Sequence, residues 1–205
     1  MNNPFRVLHL SDFHWDEERQ QDQKVVVDRL LDDLAIATKV QRPDILVFSG
    51  DLVRRGQNAS DFVETKTRFL DRVRDAIGVS DAECLICPGN HDVDRNSALS
   101  GNYIEAGLKS ELQDTASLNR HVDRYFSASI SEDASNARLS NYFEFVRKYY
   151  NQTPELVTNY VDCVIKPSPI GKIGFALFNS AWRSIGAGES ERHHLLLAER
   201  TVNNA

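Results

Sequence analysis

Three short segments of the sequence carry side chains that can bind metal ions: Asp12-Phe13-His14, Gly50-Asp51 and Gly89-Asn90-His91-Asp92. Their carboxylate, imidazole and carboxamide groups offer oxygen and nitrogen donors without a thiolate, a set that suits Mn²⁺, Fe or Zn²⁺. Two ligands one residue apart, as in the first segment, can reach one ion, and the aspartate of the second segment can bridge two ions. The glycines let the backbone turn sharply and come close to the ions.

This donor set predicts metal-assisted phosphoryl chemistry. Two ions roughly 3.5–4 Å apart would clamp a phosphoryl group and generate hydroxide from water for an in-line displacement. Such a site needs no protein nucleophile, and the sequence contains no Gly-x-Ser-x-Gly motif of the kind that presents a nucleophilic serine.

Each segment directly follows a short apolar stretch that is predicted to be a strand, at 5–10, 44–48 and 83–87. Helical periodicity lies between these stretches, at 20–40 and 59–77. The alternation predicts a parallel βαβαβ sheet with helices on its faces, in which every strand is covered on both sides. Because the carboxyl ends of parallel strands share one edge, where ligands bind, we expect the three segments to meet there.

The spacing of apolar residues also predicts which side chains are buried. The predicted helix faces are, in chain order, Val26, Leu30, Leu34 and Ala37, and then Phe62, Phe69, Leu70, Val73 and Ile77. In the strands, His9 is predicted to be a core histidine, and Cys84 and Cys87 are predicted to be buried thiols rather than a redox or metal pair. His121 lies on a polar stretch and is predicted to be exposed.

The second half of the sequence is organised differently. Residues 97–155 are polar and mostly helical, which predicts a helical insertion over or beside the site. Its aromatic residues would form a small helical core or, alternatively, stack on a substrate. Residues 159–166 and 172–179 are predicted strands, joined by a turn typical of a hairpin, and residues 191–202 are predicted to be helical.

Composition limits the class of protein. The 205 residues are 41% hydrophobic and 26% charged, with a net charge of −6, which is typical of a globular protein and argues against a broad nucleic-acid-binding surface. No apolar stretch approaches the roughly 20 residues of a membrane helix, so no membrane partner is expected. The three cysteines, without an export signal, predict the reducing cytoplasm. Residues 1–205 are predicted to form a single domain, and the sequence makes no prediction of its oligomeric state.

In this order, each at a strand end, the three segments resemble the calcineurin-like metallophosphoesterase superfamily. The resemblance covers residues 5 to about 92 and continues through the strand at 172–179. It implies an α/β fold with a β-sandwich flanked by helices, and hydrolysis of phosphate esters with two divalent ions. Mn²⁺ is expected ahead of Fe or Zn²⁺. The helical insertion departs from the minimal phosphatase core.

The resemblance also implies a role for each polar side chain. Asp12 and His14 would bind the first ion. Asp51 would bridge both ions, and Asn90 would bind the second. His91 would not be a ligand, but would act as general acid towards the leaving-group oxygen or stabilise the phosphate electrostatically. Three neighbouring residues are expected to be surface acids or to orient metal-bound imidazoles: Asp16, Asp92 and Asp94.

Variations on the motifs favour one reaction over others. The aspartate that ends the third segment, rather than glutamate, favours a phosphodiesterase or nuclease, with a nucleotide or nucleic acid as substrate. Arg55 falls where the phosphoprotein-phosphatase branch binds phosphate, although the preceding Arg54 departs from the aspartate of that branch. A phosphomonoesterase or protein phosphatase is therefore one alternative. A catalytically incomplete sensor or assembly module of a larger protein is another.

The family's later histidine ligands have no counterpart in this sequence. The 6 histidines include no Gly-His-x-His pair, and His193-His194 lies in the predicted helix at 191–202 rather than at a strand end. We therefore expect the chain to be the N-terminal part of a longer protein, truncated in its C-terminal part and followed by further domains. By itself it is expected to bind metal weakly.

Overall fold

A three-stranded parallel sheet lies at the centre of the fold. The structure, a computed structural model, describes residues 4–100, 112, 114–127, 134–150, 161–169, 171–185 and 195–203. The strands are β1 (Val7–Leu10), β2 (Ile45–Phe48) and β3 (Cys84–Ile86), in the order β1-β2-β3. Val7 pairs with Ile45, and Leu46 with Cys84, in parallel register. The α/β fold with a parallel sheet that the sequence predicted is therefore confirmed.

Two helical connections cross from strand to strand. α1 (Gln20–Val40) joins β1 to β2. α2 (Ala59–Thr65) and α3 (Asp71–Ile77) join β2 to β3, with a π-helical segment at Lys66–Leu70 between them. α1 contacts α3, so both connections cover the same face of the sheet, as successive right-handed crossovers require for this strand order.

The other described elements are short helices and one hairpin. The helices α4 (Arg95–Ser100), α5 (Thr115–Ser127) and α6 (Ser140–Tyr149) fall within the predicted helical insertion. The strands β4 (Val161–Ser168) and β5 (Gly171–Phe178) pair antiparallel as the predicted hairpin and form a sheet of their own. Short 3₁₀ turns lie at Glu17–Arg19, Asp81–Glu83, Ala134–Leu139 and Ala181–Arg183.

The final helix is shorter than its sequence pattern predicts. α7 spans Glu199–Asn203, and residues 195–198 are not helical. The rest of the predicted helix, at 191–194, lies outside the described residues. None of the described helices is long and apolar enough to cross a bilayer.

The hydrophobic core joins the sheet to α2, α3 and α6. The residues predicted for the buried face of the helix at 59–77 are all at most 5% exposed: Phe62, Phe69, Leu70, Val73 and Ile77. The aromatic rings of α6 extend this core, since Phe145 stacks on Phe62 with centroids 5.6 Å apart. The hydroxyl of the buried Tyr142 donates to the carbonyl of Ile86 at 3.0 Å. These aromatic side chains of α6 therefore pack in the core rather than form a substrate-stacking face.

The burial of α1 agrees in part with the prediction, because Leu34 is buried and Leu30 is partly buried against the core. Its buried side chains are Val27 and Leu34, whereas Val26 is 66% exposed and Ala37 is also exposed. Sequence periodicity could not choose between the adjacent Val26 and Val27, because both are apolar. The contact with α3 decides which of them is buried.

The prediction that every strand is covered on both faces is wrong for β1. β1 lies at one end of the strand order, and Val7 is 47% exposed. His9 is exposed as well, rather than in the core, and its Nε2 hydrogen-bonds the hydroxyl of Ser49 at 2.7 Å. His121 shows the opposite error, since it is buried and stacks on Trp182 with centroids 5.6 Å apart.

The two cysteines of the third predicted strand are free thiols. Cys84 is buried and Cys87 is half-buried. Burial raises the pKa of each thiol to about 11, so both stay protonated at neutral pH. A raised thiol pKa disfavours redox exchange and metal ligation, which supports the structural interpretation of this pair.

A pair of neighbouring substitutions on α2 tests this description of the core. Phe62 is fully buried, whereas Val63 is 58% exposed. We expect Phe62→Ala to lower the free energy of unfolding by about 3–5 kcal/mol, because it removes a ring and leaves a cavity. Val63→Ala should change it by less than about 0.5 kcal/mol. Urea denaturation followed by circular dichroism measures both, and equal effects would contradict the packing of α2.

Candidate metal centre

The polar segments after β1 and β2 lie side by side beyond the ends of these strands. Their backbone pairing continues past the sheet, because Asp12 N donates to Gly50 O at 3.0 Å and His14 N donates to Asp51 O at 2.9 Å. The third segment joins them through His91, whose backbone N–H donates to Asp51 Oδ1 at 2.9 Å. The three segments therefore meet at one edge of the sheet, as their positions in the sequence predicted.

Three of these residues adopt a backbone conformation that side chains other than glycine rarely adopt. Among the non-glycine residues that the structure describes, positive φ angles occur at Asp12 (59°), His14 (52°) and Asp51 (60°). Such a conformation costs about 1–3 kcal/mol per residue and persists where the surroundings enforce it, most often at functional sites. All three were predicted as metal ligands from the sequence.

The side chains of these loops face one another at distances suited to a shared ion. His14 Nε2 lies 3.6 Å from Asp12 Oδ1 and 3.7 Å from Asp51 Oδ2. These separations are too long for hydrogen bonds. They are close to the ~3–3.5 Å between two ligands of one ion with bonds of ~2.1 Å. The donor set thus fits a divalent cation.

His91 completes a cluster of donor atoms with His14 and Asp51. One ligand atom from each of the three residues lies within 4.8 Å of the others, and the His14 and His91 rings meet edge to face at 4.5 Å. His91 Nδ1 lies 3.0 Å from the backbone carbonyl of Arg54. Because a carbonyl can only accept, Nδ1 carries the proton, and Nε2 is left to bind an ion or, when protonated, to donate.

A buried carboxylate ties the second segment to the third. Asp92 is 0% exposed. It accepts backbone N–H groups from Gly89 at 2.8 Å, Asp51 at 3.0 Å and Val53 at 3.1 Å. Burial raises the pKa of Asp92 to about 7, with a contribution from the nearby Asp51 carboxylate, while the three N–H donors oppose the shift. The sequence pattern suggested a surface acid or a residue that orients an imidazole, and the structure shows instead a clamp on the backbone.

Glycine is required where these loops approach most closely. A Cβ atom on Gly89 would lie 2.1 Å from Asp51 Oδ1, and one on Gly50 would lie 2.9 Å from the Cα of Gly89. Gly50 also has a φ of 122°. A larger residue at either position would displace the carboxylate of Asp51 or separate the two loops.

The remaining predicted site residues take different positions. Asn90 lies in the third segment, half-buried between Gly89 and His91, and its backbone carbonyl lies 3.5 Å from the hydroxyl of Ser184. Arg55 is exposed. His193-His194 lies outside the described residues.

An open cleft of about 650 Å³ lies along one side of these loops. Asp12, His14 and His91 line it together with Asp16 and Arg54. The guanidinium of Arg54 donates to the Asp16 carboxylate. Burial raises the pKa of that carboxyl, but the hydrogen bonds from Arg54 and from the N–H of Glu18, together with the charges of Arg54 and Arg19, lower it by more. The family resemblance pointed to Arg55 in this loop, whereas the arginine of the pair that lines the cleft is Arg54.

The chain belongs to the calcineurin-like phosphoesterase family, because residues 5–180 match that family. It is also 29% identical over 112 residues to YydB of Bacillus subtilis (strain 168), described as an uncharacterized metallophosphoesterase-like protein. That alignment covers 53% of this chain and 22% of YydB. The matched part of the chain therefore spans less than a quarter of the length of this relative. The resemblance noted in the sequence is confirmed at the level of the family.

Substitution of Asp92, the buried carboxylate that joins the second and third segments, should destabilise the protein. In Asp92→Asn, an amide NH₂ replaces an oxygen that accepts backbone N–H groups, so buried donors lose their partners. We expect the free energy of unfolding to fall by about 2 kcal/mol or more. The matched control is Asp94→Asn, because Asp94 caps α4 through the N–H of Asn96 and asparagine caps equally well. Equal stability of the two variants in urea denaturation would argue against the clamp.

Proposed function

We propose that the protein is a metal-dependent phosphodiesterase or nuclease that uses two divalent ions, with Mn²⁺ preferred over Fe or Zn²⁺. One observation supports the proposal above all. Asp12, His14 and Asp51 share a positive φ angle, and His14 Nε2 lies within 3.7 Å of a carboxylate oxygen of each aspartate. Two carboxylates therefore lie against one imidazole, and these oxygen and nitrogen donors are ones that Mn²⁺, Fe or Zn²⁺ accept. Membership of the calcineurin-like phosphoesterase family supports the general class of reaction.

In this proposal each ligand has a defined place. Asp12 and His14 hold one ion together with Asp51, and Asn90 holds the second. Asp51 Oδ1 accepts the N–H of His91 but keeps a second lone pair, so both of its oxygens can serve as ligands. The remaining positions would be filled by water, substrate oxygens or donors from outside the described residues.

The chemistry combines the ions with groups of the protein. When bound, the ions would polarise the phosphoryl group and lower the pKa of a water molecule so that it can attack phosphorus. His91 acts as the general acid. Its Nδ1–H is held by the carbonyl of Arg54 at 3.0 Å, which directs Nε2 away from that carbonyl. When Nε2 is also protonated, the imidazolium would give that proton to the leaving-group oxygen and return to neutral imidazole.

The preference for diesters rests on the third segment, which ends in Asp92 rather than glutamate. A phosphomonoesterase or protein phosphatase, and a catalytically incomplete sensor or assembly module, are the alternatives. Faster hydrolysis of p-nitrophenyl phosphate than of bis-p-nitrophenyl phosphate would favour the first alternative. No hydrolysis of either ester by the full-length protein with Mn²⁺ would favour the second.

Removal of one charge from the centre tests the metal-dependent mechanism. We expect Asp51→Asn to lower the rate of hydrolysis of bis-p-nitrophenyl phosphate with Mn²⁺ by at least about 100-fold. Substitution of residues that only hydrogen-bond to a metal ligand already lowers metal affinity or activity by about 10–100-fold, and loss of a ligand's charge should cost more. Chelation with EDTA should abolish the activity of the unsubstituted protein, and added Mn²⁺ should restore it.

The control for this experiment is Asp32→Asn. Asp32 lies on α1, and its side chain is 71% exposed, so this variant should keep full activity. Full activity of Asp51→Asn would refute its role as a ligand, provided that isothermal titration shows unchanged binding of Mn²⁺.

The leaving group tests the role of His91. A dinucleotide releases an alcohol, which needs a proton, whereas p-nitrophenolate departs readily without one. We expect His91→Gln to lower the rate with the dinucleotide by about 100-fold or more and to affect the p-nitrophenyl diester much less. Equal losses with both substrates, together with weaker Mn²⁺ binding, would indicate that His91 is a metal ligand instead.

A further inference from the structure

We propose that Arg54 is the residue of this chain that binds the phosphate group of the substrate, and that Asp16 positions its guanidinium. The inference rests on the proposed function. It differs from the family resemblance, which pointed to Arg55.

The backbone of Arg54 is fixed against two segments of the metal centre. Its N–H donates to the carbonyl of Trp15 at 3.0 Å, and its carbonyl accepts the Nδ1–H of His91 at 3.0 Å. Residue 54 therefore contacts both the segment that carries His14 and the imidazole proposed as general acid. A side chain starting here begins at the edge of the centre itself.

The side chain of Arg54 is held by a hydrogen bond that uses one of the donors of its guanidinium. Its Nη1 donates to Asp16, whose own side chain is only 11% exposed and accepts the N–H of Glu18 at 3.1 Å. A guanidinium has five N–H donors, and the bond to Asp16 occupies one of them. The side chain of Arg54 is 43% exposed and lines the cleft beside Asp12 and His91.

The charges of the cleft explain why a cation is useful there. Its acidic groups near the centre, Asp12 and Asp16, would repel a phosphate that no ion faces. A guanidinium can bind two phosphate oxygens at once in fixed geometry, which a lysine cannot do. Arg54 would thus hold the oxygens that the ions leave free, and its bond to Asp16 limits its rotation before the substrate arrives.

Arg19 and Arg55 are weaker candidates for this role. Arg19 lines the same cleft, but its side chain is 70% exposed and its contact with Asp16 is long, at 4.0 Å. Arg55 is exposed, and it is not among the residues that line the cleft. The backbone bends at Arg54, and of this adjacent pair Arg54 is the one that lines the cleft.

The test compares Arg54→Gln and Arg54→Lys in the full-length protein with Mn²⁺ and bis-p-nitrophenyl phosphate. We expect Arg54→Gln to lower kcat/KM by roughly tenfold to 100-fold, as loss of a charged hydrogen bond does. Most of the loss should appear as a higher KM, and the affinity for Mn²⁺ in isothermal titration should be unchanged. Arg54→Lys should recover only part of the loss. It also keeps the charge if the glutamine variant folds poorly.

Two further variants make the comparison decisive. Arg29→Gln, whose side chain is 82% exposed on α1, is the control and should behave as the unsubstituted protein. Arg55→Gln tests the rival arginine, and a larger loss there than in Arg54→Gln would overturn the inference. So would unchanged kinetics of Arg54→Gln in an active protein. If the unsubstituted protein hydrolyses no phosphate ester, the proposed function fails first.

Discussion

Three backbone N–H groups from two loops converge on the buried carboxylate of Asp92, and the rest of the site depends on this contact. It joins the segment after β2 to the segment after β3, beyond the point where the strands stop pairing. Further hydrogen bonds join the same two loops, from His91 N–H to Asp51 Oδ1 and from Gly56 N–H to the carbonyl of Val93. With these bonds, Asp51 and His91 belong to one rigid unit, so their side chains are positioned before any ion binds.

The site also stores conformational strain, which the surrounding structure must offset. Asp12, His14 and Asp51 all have left-handed backbone conformations, and each is held by backbone pairing between the first two segments. The close approach of Gly89 to Asp51 leaves no room for relaxation. The buried rings of α2, of the π-helical segment and of α6 supply stability that offsets such local strain. The core therefore supports the site indirectly, because the stability from its packing offsets the conformational free energy that the three strained residues cost.

Prediction from the sequence succeeded where local signals were sufficient. The predicted bounds of α1 agree with the structure, because the apolar periodicity that forms the helix and the Pro43 that follows it are local features of the sequence. In α1, Leu34 was correctly predicted to be buried, whereas Val26 and Ala37 are exposed, and His9 and His121 were each assigned the opposite burial. These errors share one cause: burial depends on what distant segments pack against a residue, and a single sequence does not record those contacts.

The sequence by itself determined that Asp12, His14, Asp51 and Asn90 follow strand ends, and hence that a metal-binding edge of a parallel sheet was to be expected. The tertiary structure alone decided that Asp92 turns inward as a clamp and that Arg54, not its neighbour, lines the cleft. The physical reason is that residue type and spacing specify which groups are available, whereas the direction of a side chain is set by the packing of loops that lie about 40 residues apart.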